Sequence, residues 1–291
     1  MRSAPTHTVP SPGTDFLDLL RGRRIVVLAG AGCSTESGIP DYRGPDGRLR
    51  ARKPIQYNDF VRSTEARTRY WARSAVGWRR MSSARPNPAH FALARLEAAA
   101  SVRGVITQNV DGLHHAAGSR RVVELHGSLA HVRCLACGER TSRAELQERL
   151  ATENTEWLDL VEDDREAGAP RAAPDGDADL VDHHLDRFRV PECLSCGGVL
   201  KPDVVFFGEN VPSERVREAW ALFEEGEVLL VVGSSLMVFS GRRFVYRAAK
   251  HGVPIGIVNL GPTRADDLAA ARLEGRLGEV LPRLADELIR A

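Results

Sequence analysis

Long apolar runs, a disulfide-grade supply of cysteine and an excess of either charge are all missing from this 291-residue chain. The longest apolar run, within Glu227 to Gly233, has the length of a buried strand and falls far short of the about 20 residues that a membrane helix needs. A bilayer-spanning protein is excluded on that ground. Five cysteines, an odd number, are too few for a disulfide scaffold and suit a reducing compartment. Lysine is nearly absent, 3 residues against 37 arginines, which points to GC-rich coding and a bacterial, cytoplasmic protein. Residues 1–14 are rich in Pro, Ser and Thr with a single Arg. They lack the apolar core of a signal peptide and the repeated Arg of a transit peptide, and are expected to be disordered.

What is present is an ordinary soluble composition with a hidden asymmetry. The 40 basic and 39 acidic residues leave a net charge of +1. Yet residues 153–186 hold 12 acidic side chains and only Arg165 and Arg171, so a −10 segment is balanced by a +11 remainder. The length allows one large domain, or one large and one small, and no internal repeat is visible.

Ile25-Val-Val-Leu-Ala29 is a β-branched run followed at once by Gly30-Ala-Gly-Cys-Ser-Thr-Glu-Ser-Gly38, a strand leading through a glycine loop toward a helix start. Further strands are expected at Val102–Thr107, Val122–Leu125, Val204–Phe207, Val228–Val232 and Pro254–Asn259. Helical patterns fall at Asn87–Ala100, Ser213–Glu225 and Gly241–His251. Near-continuous apolar strands alternating with helices predict an α/β fold with a Rossmann-like parallel sheet covered on both faces. Two stretches interrupt it: an Arg- and aromatic-rich helical insertion over 45–85, and 131–200, which carries two cysteine pairs and a helix at Thr141–Ala151. The large domain then comprises 15–44, 86–130 and 201–291.

Backbone amides at a helix start favour phosphate, so Gly30, Ala31 and Gly32 suggest a nucleotide site. Read alone, the loop is a weak signal, with a tight turn that binds no ligand as the lesser alternative. The dehydrogenase fingerprint is not met, because Thr35 stands where a third glycine belongs and Arg48-Leu-Arg-Ala-Arg52 where a ribose carboxylate belongs. Cys134-x-x-Cys137 and Cys193-x-x-Cys196 supply four soft thiolates, the set of a structural tetrahedral zinc ion. The 55 residues between the pairs, 138–192, exceed the about 15–20 of a compact zinc ribbon, so the module must host an insertion. A redox dithiol is the poorer reading of two pairs at matched internal spacing. Cys33 stands apart as a small buried residue.

The glycine loop runs into Ser37-Gly-Ile-Pro-Asp-Tyr-Arg43. There follow Thr107-Gln-Asn-Val-Asp-Gly-Leu-His114, Glu124-Leu-His-Gly127, Lys201-Pro-Asp-Val-Val-Phe-Phe-Gly-Glu209, Gly233-Ser-Ser-Leu236 and Val258-Asn259. In this order the chain resembles the sirtuin family of NAD-dependent protein deacylases, over about Asp15 to Leu281. Pro40-Asp-Tyr-Arg43 and Ser234-Ser-Leu-Met-Val-Phe-Ser-Gly241 look most like the class II branch with the mitochondrial lipoamidase-type enzymes.

The resemblance implies NAD and an acylated-lysine protein substrate meeting between a Rossmann-like domain and a small zinc domain. It implies that the acyl oxygen attacks the ribose carbon as nicotinamide leaves, and that His126 is the base for the following step, with Asn109 and Asp111 at the reacting ribose. An imidazole near its reference pKa of about 6.5 suits a base at neutral pH. By family position Gly30, Ala31, Gly32, Glu36, Asp41, Tyr42, Arg43, Gln108, Asn109 and Asp111 surround NAD. Gly233, Ser234, Ser235, Asn259, Leu260, Gly261 and Leu277 complete that site. From the residues alone, Asn109 and Asp111 serve equally as turn formers, Ser235 as a helix cap and Leu277 as a core leucine. Substrate peptide is expected to add as a strand between Phe207-Gly208-Glu209 and Val238-Phe239-Ser240. Val205 and Phe207, on one face if extended, are expected to line the acyl-lysine tunnel. Ser240-Gly241 replaces the Pro that many relatives carry. No Tyr and Arg pair marks a preference for acidic acyl groups. Mono-ADP-ribosyl transfer and lipoamide removal are the alternatives in the same cleft. The acidic insertion and a pI of 7.8 argue against a nucleic-acid partner.

Overall fold

A computed structural model describes residues 14–42, 44, 54–163 and 185–290. Five of the six strands of the main sheet are parallel runs of β-branched and aliphatic residues: β1 (Ile25–Ala29), β2 (Val102–Thr107), β3 (Val122–Glu124), β7 (Val228–Val232) and β8 (Ile255–Asn259). The more polar β9 (Ala271–Glu274) closes one edge, and the order is β3-β2-β1-β7-β8-β9, with every pair parallel. Chain order reverses at β1, which pairs with β2 on one side and β7 on the other. In open parallel sheets a crevice forms outside the carboxyl ends of the strands at such a reversal.

Both faces of the sheet are buried, which is why its strands read as continuous apolar runs rather than alternating ones. Ile25, Val27 and Ala29 face a core completed by α1 (Thr14–Leu20), α4 (Pro88–Ala98) and α10 (Leu277–Arg290). Val26 and Leu28 face the opposite core, under α8 (Ser213–Glu224) and α9 (Phe239–Lys250). Each fully buried Val, Leu or Ile side chain contributes about 1.5–3 kcal/mol of transfer free energy. Helix α4 starts where Asn87 accepts from the Ala89 amide and His90 Nδ1 accepts from the Asn87 amide, with Pro88 in its first turn.

The chain leaves this sheet twice. Helices α2 (Tyr57–Arg62) and α3 (Thr64–Ser83) form the first excursion. The second contains the antiparallel sheet β5-β4-β6, built from β4 (Gly127–Cys134), β5 (Arg140–Ser142) and β6 (Leu200–Val204), with α6 (Arg143–Glu153) and α7 (Thr155–Asp163). One shared core joins the two excursions, packing Phe60, Tyr70 and Trp71 against Val132, Leu146, Leu150 and Phe206. Arg143, 1% exposed, lies in that core with its guanidinium 5.5 Å from the Trp71 ring and 4.6 Å from the Trp78 ring. It donates to the Ser74 carbonyl and hydroxyl, and burial lowers its pKa to about 10.

One strand expectation is corrected. Val204–Phe207 is not a strand of the parallel sheet: strand β6 ends at Val204 and pairs antiparallel with β4 in the small sheet. Pro202 and Asp203 break the apolar pattern that marks a central parallel strand, and residues 205–209 turn away as a loop. The N-terminal segment, the acidic residues 164–184 and the Arg-rich 45–53 lie outside the described residues.

Candidate active site

The loops after β1, β2, β7 and β8 converge on one cleft of about 1550 Å³, closed on the far side by residues 204–211 of the small module. Single-ligand pockets usually span about 300–1000 Å³, so this space can admit two ligands together.

At one wall the glycines permit a close approach of two backbones. The Gly30 amide donates to the Val232 carbonyl at 3.0 Å, and the Gly32 amide to the Gly233 carbonyl at 2.8 Å. A Cβ added to Gly32 would lie 2.8 Å from Gly233 Cα, and one added to Gly30 would lie 2.7 Å from the Gly233 carbonyl oxygen. Gly233 itself has φ +60, the left-handed region that favours glycine. The amides of Gly30, Gly32 and Gly233 are all taken by protein carbonyls, so what the glycines provide is the close packing of the two loops that form this wall of the cleft. Leu277 caps it from inside, near Gly233.

The floor is a hydrogen-bonded cluster. Asn109, 9% exposed, donates through Nδ2 to the Gly30 carbonyl and to Ser34 Oγ, both at 3.1 Å. Ser34 Oγ in turn donates to Asp111 Oδ2 at 2.6 Å, and Asp111 Oδ1 accepts from the Leu113 amide at 2.9 Å. Gln108 Nε2 donates to Ser234 Oγ at 3.0 Å. Asp111 thus forms a local turn with Leu113, Asn109 ties its loop to the glycine loop, and both line the cleft. Ser34 was missed there because nothing in Cys33-Ser34-Thr35 distinguishes it from the loop around it. The link to Asp111 spans 77 residues.

His126 follows β3 and is half-buried. Its Nδ1 lies 2.9 Å from the Gln108 carbonyl, an acceptor only, so Nδ1 carries the proton. Its Nε2 lies 2.7 Å from Ser240 Oγ and accepts that hydroxyl's proton. Burial is the main cause that lowers the pKa of His126, with Arg243 and Arg215 acting in the same direction and the Gln108 carbonyl opposing them. The ring is thus neutral at neutral pH with its lone pair on Nε2, the form a base requires. Ser240 was known from sequence only as a departure at a Pro position. The structure makes it the partner of the histidine, while Gly241 leaves room for the Gln108 amide, which a Cβ at that position would strike.

The remaining predicted residues divide. Ala31, Glu36, Asp41, Tyr42, Ser235, Asn259 and Leu260 line the cleft, and Glu36 accepts from the Gly278 amide at 2.7 Å. Gly261 turns into its own loop, its amide donating to Glu274, so the cleft wall continues at Pro262. Arg43 lies outside the described residues. Val205, Phe207, Gly208, Glu209, Val238 and Phe239 all line the cleft. Phe207 makes a single bridge to Gln56, and Phe239 is the first residue of α9. The first segment is anchored by side chains: Glu209 accepts from the Phe206 amide at 2.8 Å and pairs with the buried Lys201 at 2.9 Å.

Away from the cleft, the four Sγ atoms of Cys134, Cys137, Cys193 and Cys196 lie within 4.8 Å of one another. The Cys134–Cys196 pair is 3.5 Å apart and the Cys137–Cys193 pair 3.8 Å, against the about 3.8 Å edge of a tetrahedron with 2.3 Å Zn–S bonds. A Cβ on Gly198 would sit 2.8 Å from Cys134 Sγ, so the glycine keeps the space that the thiolates need. The residues present fit a closed four-thiolate zinc site.

The model of the Sir2 family matches residues 30–240. The chain belongs to the Sir2 family. It is 52% identical over 256 residues to the NAD-dependent protein deacetylase 2 of Bradyrhizobium diazoefficiens, covering 88% of this chain and 91% of that protein. It is 48% identical to the mitochondrial NAD-dependent protein lipoamidase sirtuin-4 of Bos taurus, over 97% of this chain and 90% of the relative. A solved structure described as Sir2 with a p53 peptide and NAD+ superposes with a TM-score of 0.74 at 32% identity, covering 94% of this chain and 97% of the other. For a Sir2-family chain the fold matches the expectation of a parallel α/β sheet with a smaller cysteine-bearing module. Among the described residues no helix is long and apolar enough to cross a membrane.

Proposed function

We propose that the cleft is the catalytic centre of an NAD-dependent protein-lysine deacylase, acting on acylated lysines of protein substrates. The observation that carries the reading is His126: neutral, held by a backbone carbonyl at Nδ1, and aimed through Nε2 into a cleft that also contains the glycine loops and Asp111. The family relatives named as NAD-dependent deacetylases support it.

NAD, when bound, supplies a ribose carbon activated by its nicotinamide leaving group. Gly30, Ala31, Gly32, Gly233, Ser234 and Ser235 would hold its phosphates, with Asn259, Leu260 and Leu277 on the adenosine side. Asn109 and Asp111, rigidified by Ser34, would hold the reacting ribose, where the Asp111 carboxylate faces the cation of the nicotinamide ring. Val205 and Phe207 exclude water along the acyl-lysine entry. His126 accepts a proton from a ribose hydroxyl at Nε2, a step worth about 10²–10⁴ in rate. Cys134, Cys137, Cys193 and Cys196 would hold one zinc ion, closed to water and therefore structural.

Incubation with NAD and a panel of acyl-lysine peptides tests this, with products identified by mass spectrometry. Nicotinamide and O-acyl-ADP-ribose are expected, and their absence across all acyl groups would overturn the reading. The similarity to a lipoamidase places lipoyl-lysine beside acetyl-lysine in that panel. Stable transfer of labelled ADP-ribose to protein would identify the transferase instead.

A further inference from the structure

Helices α8 and α9 approach each other beside His126, where the rings of Trp220 and Phe244 are 4.3 Å apart. The residues that line the cleft include Asn210, Val211, Ser213 and Arg217 at the start of α8 and Arg243 of α9, and Arg217 stands one helical turn before Trp220, whose ring is 5.8 Å from the Arg243 guanidinium. Arg243 stands one helical turn beyond Ser240, whose hydroxyl is 2.7 Å from His126 Nε2. It is close enough to the imidazole to lower its pKa.

Both arginines lack a counter-charge. No described carboxylate lies within ion-pair distance of Arg217 or Arg243, whereas neighbouring Arg215 pairs with Asp203 at 2.9 Å. The guanidinium of Arg243 lies 5.8 Å from the Trp220 ring and 5.5 Å from the Phe244 ring. Its Nε and Nη2 are sealed without a hydrogen-bond partner, so Nη1 is the nitrogen left open. Burial lowers its pKa with no acid acting against that effect. Glu209, a carboxylate that lines the same cleft, is already engaged by Lys201 and the Phe206 amide. A half-buried cation without a partner is costly, and the cost is relieved when a ligand brings an anion. Pro212, Ser213 and Arg217 are exposed, so this part of the cleft opens to solvent. That geometry suits a group on a chain passing the mouth rather than an enclosed acyl tail.

We propose that Arg217 and Arg243 form a subsite for a substrate carboxylate, an Asp or Glu side chain in the segment next to the acylated lysine. This rests on the reading of the cleft as a deacylase centre. The enzyme would then prefer lysines in acidic surroundings, using two guanidinium groups that suit carboxylates.

The test uses the full chain with zinc and saturating NAD, and acyl-lysine peptides that differ only in having Glu or Ala at the positions flanking the lysine. Turnover of the Ala-flanked peptide tests the deacylase reading by itself, and its absence would overturn that reading alone. Given turnover, the Glu-flanked peptide is expected to have kcat/KM about five-fold higher, mostly through KM, with the preference shrinking as salt rises. In Arg217→Gln and Arg243→Gln the ratio between the two peptides should fall toward one, and Arg217→Lys should restore part of it. A ratio near one in the unaltered enzyme would overturn the proposal. So would a ratio unchanged in both variants, or a rise confined to KM for NAD, which would assign the arginines to the dinucleotide. A glutaryl-lysine peptide with Ala flanks separates the two sources of carboxylate: a gain there that the Glu flanks do not produce would also overturn it.

Discussion

Replacing Ser240 by Ala isolates the hydrogen bond that occupies the lone pair of His126. The bond is 2.7 Å long, and its direction follows from the opposite nitrogen, which must donate to the Gln108 carbonyl 2.9 Å away. A donor at Nε2 stabilises the neutral ring and disfavours imidazolium. Its net worth of about 0.5–1.5 kcal/mol converts to roughly 0.4–1.1 pH units at 1.36 kcal/mol per unit. In its proposed role as base His126 works only when neutral, so activity should be lost as pH falls through its pKa, which burial holds below the ordinary 6.5. In Ser240→Ala the acid limb of kcat/KM, which reports the free enzyme, should therefore move to higher pH by that amount. The plateau above the limb, where the ring is neutral in both proteins, should stay nearly level. Ser240→Pro should behave alike, because position 240 lies in the first turn of α9, where Pro is tolerated. A limb that stays put or moves to lower pH would refute the reasoning. A plateau lowered about 10²-fold or more would refute it differently, by making the hydroxyl an obligatory proton carrier.

Other consequences follow from the same geometry. Gly32→Ala forces a Cβ to 2.8 Å from Gly233 Cα, and NAD affinity by calorimetry should drop more than about ten-fold while zinc content stays intact. Gly198→Ala crowds the Cys134 thiolate, so a chelator should strip zinc faster, followed by loss of near-ultraviolet dichroism from the module that buries Trp71 and Trp157. His114 is 1% exposed, with neither ring nitrogen hydrogen-bonded, and burial lowers its pKa from 6.5 to about 3. The unfolded chain then binds a proton that the folded one refuses, so stability falls by about 1.4 kcal/mol per pH unit from about pH 6.5 down to pH 3. Urea midpoints for the unaltered protein and His114→Leu should converge at neutral pH and separate at pH 4.5, and parallel pH profiles would count against this account.

Much was legible from residues alone because short-range chemistry wrote it. Uninterrupted apolar runs such as Val228–Val232 can only be strands covered on both faces, and two Cys-x-x-Cys pairs can only meet by folding back on each other. The run ending at Phe207 misled because it is apolar for a different reason: Phe206 fills the shared core of the small module, while Val205 and Phe207 face a ligand cleft. Periodicity does not say what an apolar residue is buried against.

Sequence by itself determined the parallel α/β class, the family and the thiolate set, and it singled out His126 as the proposed base. Only the tertiary structure decided which nitrogen of His126 holds the proton, that Ser34 ties Asn109 to Asp111, and that Ser240 meets the imidazole across 114 residues. It also left Arg243 without an acid among the described residues. Hydrogen bonds and ion pairs are decided over about 3 Å, and separation along the chain carries no information at that scale until the sheet has brought its loops together.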